Sequence, residues 1–231
     1  MSTLYLITIF SIFAIYVVFI LLMKHFKNVN LTNVIFYLAT VICYVSLVLI
    51  VYFDVGADDW NFRNTLPTAN VSPFMFASSF IFFILPKKIR KYFGLLISLL
   101  SVGMMISISI SCIHNYLIGY KFHSHFLLDY VAHVSFSLWG IYIIRSKQAE
   151  LKIKDALISG SIIVIVAIIM MIINVIFDTT FFGLNLNGKH TIYNQIIVDN
   201  SYLSAFIYFV GLIILLLIGY YFQKLLEKIR D

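Results

Sequence analysis

Long apolar runs broken by short polar stretches set the pattern of this chain. Seven of them, at about 4–23, 32–53, 70–85, 92–113, 126–144, 155–177 and 202–222, come close to the roughly 20 residues that a membrane-crossing helix needs. In lipid every backbone N–H and C=O must be satisfied within its own segment, so such runs must be helices. The predicted fold is therefore all-α, a polytopic membrane helix bundle of about seven transmembrane helices that forms a single domain over residues 1–231. The third run is short, with Pro67 and Pro73 at its start and Pro86 at its end. Proline is tolerated in a first helical turn, where Pro73 would tilt or kink the chain.

Charge fixes the expected orientation. Lys24 and Lys27, then Lys87, Lys88, Arg90 and Lys91, then Arg145, Lys147, Lys152 and Lys154, then Lys224, Lys228 and Arg230 fall in alternate loops. Those are thirteen of the sixteen basic residues, and only Arg63, Lys121 and Lys189 fall in the other set. The positive-inside rule places the first set in the cytoplasm, which puts the N-terminus outside and the C-terminus inside. The strict alternation also supports seven spans, since a missed or extra one would scramble it.

Composition agrees. The chain is 62% apolar and only 11% charged, against about 25% charged in a soluble domain. A soluble fold of this make-up would expose large apolar patches. The net charge of +6 faces lipid headgroups and implies no nucleic-acid partner. The first run follows Met1-Ser2-Thr3 without a basic lead, is too long for a signal-peptide core, and precedes no A-x-A site. It reads as an uncleaved first span. Cys43 and Cys112 lie in apolar runs, form no C-x-x-C, and read as small buried hydrophobes. The 22 Phe and 15 Tyr read as packing and interfacial belts.

The loops of the outer set are longer and richer in polar and aromatic residues. Segment 54–69 carries Asp54, Asp58, Asp59 and Trp60; segment 114–125 carries His114, His123 and His125; segment 178–201 carries Asp178, His190 and Asp199. Five of the six histidines lie at or near this side, and His25 is the exception. Polar groups held in loops by a rigid scaffold are where function gathers, so a site is expected at the outer mouth of the bundle.

The sharpest constellation is His125-x3-Asp129-x3-His133, preceded by His123. Steps of four turn a helix by only about 40°, so the three side chains share a face. Ionisable groups at membrane depth are expensive and face the bundle interior or a water-filled cavity. Three readings stay open: a divalent metal site, a proton-handling pair in which Asp129 orients His133 as a base, or a hydrogen-bonded seam between helices. Along the axis the three residues span about 12 Å, too far for one ion to take all of them. No structural metal and no other cofactor is expected. Asn174 and Asp178 share a face at the outer end of the sixth run, where Asp178 is either a solvated helix end or a partner of His133. Asn70 and Ser72 open the third run; Ser72 is a nucleophile only with a base close by, and otherwise bonds a backbone carbonyl. The chain has no P-loop, G-x-S-x-G, H-E-x-x-H, span-interior lysine or convincing internal repeat.

Leu66-Pro67 before a span, Ala132-His133 in a later one, and Asn174 ahead of Asp178-Thr179-Thr180-Phe181-Phe182 resemble motifs of the YwaF-like bacterial integral membrane proteins, relatives of vertebrate transmembrane protein 164. The similarity runs over roughly residues 60–220 through these short motifs. It implies a seven-helix fold in a bacterial plasma membrane and, through the vertebrate relative, acyl transfer between phospholipids by a cysteine and a histidine. Val71 stands near the family's cysteine, and Ser201-Tyr202 stands in place of its Pro-Trp. A histidine-centred lipid or ligand site is then what the resemblance leaves. The expectation is acyl transfer or hydrolysis on a membrane lipid, with His133, Asp129 and Ser72 catalytic and Asn174, Asp178, His125 and Asn70 binding the lipid or a small-molecule ligand. The rival readings are a non-catalytic binder or transporter of a small ligand or ion, and a structural subunit bound to a membrane-protein partner.

Overall fold

The computed structural model describes residues 3–55, 72–118, 124–177 and 201–230. All of these are helical or in the turns between helices, with no strand among them. The elements are α1 (Thr3–Leu22) running into a 3-10 turn (Met23–His25), α2 (Val29–Val55), α3 (Ser72–Ile84), α4 (Lys87–Leu117), α5 (Ser124–Arg145), α6 (Ile153–Phe177) and α7 (Ser201–Arg230). Six are long and apolar enough to cross a membrane. The exception is α3, with 13 residues. The helices run past the apolar stretches that announced them. α4 begins among its own lysines directly after Pro86 and continues through His114, which had been expected in a loop. α7 continues eight residues past position 222 into its basic end.

The long α4 is the hub, packed against α1, α3, α5, α6 and α7, while α2 lies along α5. Small residues let these helices close up. Ser98 Oγ on α4 donates to the Gly140 carbonyl of α5 at 2.7 Å, and Ser137 Oγ donates back to the Ser101 carbonyl at 2.6 Å. Gln223 on α7 completes the seam, its Nε2 donating to Ser98 O and Ser101 Oγ, both at 3.2 Å. Three helices are thus tied by polar contacts that apolar packing alone does not give in lipid.

The basic end of the bundle is equally specific. Trp139, fully buried on α5, donates Nε1–H to Asn33 Oδ1 on α2 at 2.9 Å. Asn33 in turn donates to Gln148 Oε1 in the α5–α6 turn. Phe83 stacks on the Trp139 ring at 5.9 Å and Phe82 meets its edge at 5.5 Å, which seats α3. Arg90 then caps α3, donating to the carbonyls of Phe83 and Leu85 at 3.0–3.2 Å. A helix's last carbonyls have no partner in their own helix, so this contact satisfies them where chain direction reverses. α5 ends in a Schellman turn, with Lys147 N–H to Ile144 O and Gln148 N–H to Ile143 O, both 3.0 Å, and Lys147 at φ 58°.

Candidate functional site

Asp129 and His133 lie one turn apart on α5, and His133 continues toward the N-terminal end of the helix the stripe formed by Ser137 and Gly140. The imidazole is buried, at 8% exposure. Its Nδ1 is 2.8 Å from the Asp129 carbonyl oxygen and 3.1 Å from the carboxylate Oδ1. Both oxygens only accept, so in the neutral ring Nδ1 carries the proton and Nε2 keeps its lone pair. A base with its tautomer set by an adjacent carboxylate is suited to taking a proton. The Asp129 side chain is 34% exposed at the surface of the bundle. The bonds that hold His133 are made within its own helix. The polar seam between helices is built instead by Ser98, Ser101, Ser137 and Gln223.

Three further helices contribute groups here. Tyr44 of α2 and Cys112 of α4 lie within electrostatic reach of the Asp129 carboxylate. Tyr130, next to Asp129, is 2.8 Å from Ser11 Oγ of α1. Ser11 already donates its proton to Thr8 O at 2.7 Å, so the Tyr130 hydroxyl is the donor of that pair. Sequence reasoning had given Cys112 to the core, where it is in fact fully buried, and had assigned nothing to Tyr44, Tyr130 or Ser11. In a single sequence these are ordinary members of apolar runs; the one available signal was Tyr130 standing beside an intramembrane carboxylate.

The other expected site residues are placed as follows. Ser72 is the first residue of α3 and His125 the second of α5. Asn174 is fully buried on α6, the helix that packs on α4 and α7. Asn70 and Asp178 lie outside the described residues, as do His123 and His190. Among the described residues no three His, Cys, Asp or Glu side chains gather as metal ligands would.

Six apolar helices in an all-helical arrangement define a multi-pass integral membrane protein. No protein family, curated protein or solved structure matches the chain.

Proposed function

We propose that this membrane protein carries a histidine-centred site at its outer end that acts on a lipid by hydrolysis or acyl transfer. The observation that carries the reading is the buried His133 held through Nδ1 by both acceptors of Asp129. In the proposed step Nε2 takes a proton from an attacking hydroxyl, that of water or of Ser72. The oxygen adds to an ester carbonyl and the protonated histidine returns the proton to the leaving alkoxide. Asn174, Asp178, His125 and Asn70 would border the lipid.

The topology that puts this site outside has seven crossings, with the N-terminus outside and the C-terminus in the cytoplasm. α2 and α4 both run away from basic segments, so the chain between them must return across the bilayer. The 13 residues of α3 rise about 20 Å, most of the way through a core about 30 Å thick. The contacts Asn33–Gln148 and Lys91–Asp155 support gathering three basic loops at one end.

The test uses the full chain in liposomes with a mixed, acyl-labelled phospholipid pool, following release or transfer of the label. A positioned general base contributes about 10²–10⁴-fold to rate. His133→Ala is expected to remove activity to that extent, and Asp129→Asn to lower it, because the neutral amide keeps the Nδ1–H tautomer but no longer stabilises the imidazolium formed when Nε2 takes the proton. Both variants should stay monodisperse in detergent. Full turnover in His133→Ala would remove the proposal.

A further inference from the structure

At the opposite, basic end of the bundle a cavity of about 420 Å³ opens between the α1–α2 turn and the end of α5. That volume is within the usual range of ligand pockets, about 300–1,000 Å³. Its polar wall is cationic, with Lys24 from the 3-10 turn and Arg145 from the last turn of α5; its apolar wall includes Leu21, Phe26, Val29 and Tyr142. Among the described residues no acidic side chain lines it. Glu150, in the following turn, is held by Lys152 at 2.5 Å, a contact that keeps its carboxyl below the ordinary carboxylate range.

The walls are fixed. Tyr142 donates its hydroxyl to the Phe26 carbonyl at 3.2 Å and meets the Phe26 ring edge-on at 6.3 Å. Two helix termini meet here. Val29 begins α2, so the N-terminus of that helix lies at the cavity, with its Leu31 N–H taken by Asn28 Oδ1 at 3.0 Å. The carbonyls that would make the end of α5 negative are taken up by the N–H groups of Ser146, Lys147 and Gln148 at 2.8–3.0 Å. Beyond the rim the surface is apolar: Leu21 is 66% exposed, and Val17 and Val18 on α1 and Leu31 and Ile35 on α2 are exposed in the same region of the bundle.

We infer that this cavity holds the headgroup of an anionic glycerophospholipid, its phosphate between Lys24 and Arg145 and its acyl chains along the exposed faces of α1 and α2. A free phosphate would offer the same charge to the two basic side chains; the lipid-facing rim commits the site to a lipid. The inference does not depend on the chemistry proposed at the outer end, since no residue is shared.

Native mass spectrometry of the full chain in detergent, titrated with phosphatidylglycerol or phosphatidylcholine of the same acyl chains, tests it. Basic side chains at this depth are each worth about fivefold in anionic-lipid affinity. Phosphatidylglycerol is expected to outbind phosphatidylcholine by more than about tenfold on that scale. Lys24→Gln should lose about fivefold, and Lys24→Gln with Arg145→Gln about 25-fold. Lys228→Gln, on the same side but away from the cavity, should lose nothing. Equal retention of the two lipids, or undiminished phosphatidylglycerol binding in Lys24→Gln, overturns the inference. Displacement of the bound lipid by millimolar inorganic phosphate also overturns it, because the site would then belong to a soluble anion. Lys24 is exposed and its substitution disturbs no packing, so it carries the test alone if the Arg145 variant fails to fold.

Discussion

An alanine at Gly219 would place its Cβ on the backbone of α4, against the carbonyl oxygen of Leu99 and 3.0 Å from that carbonyl carbon. A backbone carbonyl in a continuous helix cannot rotate aside as a side chain does, so α7 must move away from α4. Overpacking of this kind costs about 1–3 kcal/mol. Gly219 lies one turn from Gln223 on the same face, so the displacement also stretches the two Gln223 bonds to Ser98 and Ser101. Bonds of that type in membrane bundles are worth about 0.6 kcal/mol each. Alanine's better helix propensity returns at most about 1 kcal/mol, which leaves a net loss of about 1–3 kcal/mol. Two neighbouring glycines calibrate the measurement. At Gly211 a Cβ meets nothing within 4 Å, and at Gly103 its three nearest atoms all belong to the side chain of Leu215, which is flexible where a backbone carbonyl is not. Thermal unfolding of the three alanine variants in one detergent should rank Gly211 as neutral or stabilised, Gly103 intermediate and Gly219 lowest. If Gly219→Ala melts with Gly211→Ala, the close approach of α4 and α7 is not part of the fold.

Asn33→Ala removes the acceptor of the buried Trp139 N–H and releases Gln148; an unsatisfied buried donor costs about 1–3 kcal/mol. The variant should melt earlier, with a shift in tryptophan emission, and an unchanged midpoint would count against the network. Lys147 holds a left-handed backbone, φ 58°, that glycine adopts without strain. Lys147→Gly is therefore expected to gain up to about 1 kcal/mol and Lys147→Val to lose at least as much; equal midpoints for the two in a melting series would refute that account.

The sequence by itself determined the solvent of this protein and much of its secondary structure. Runs such as Ile153–Phe177 have no polar partners to offer their backbone except their own turns, so lipid forces them helical wherever they pack. The pairing of Asp129 with His133 was legible for the same reason: both lie on one helix, and helical spacing brings residues four apart together without help from the rest of the chain. Contacts between helices were not legible. Nothing local distinguishes Gly219, which touches the Leu99 backbone, from Gly211, which touches nothing. Asn33 and Gln148 are 115 positions apart, and no helical period announces their bond. The cationic cavity is of the same kind. Lys24 and Arg145 were read from sequence only as two loop charges counted toward topology. Tertiary packing set them on one cavity wall, because the aromatic contact of Phe26 with Tyr142 draws the α1–α2 turn onto the end of α5.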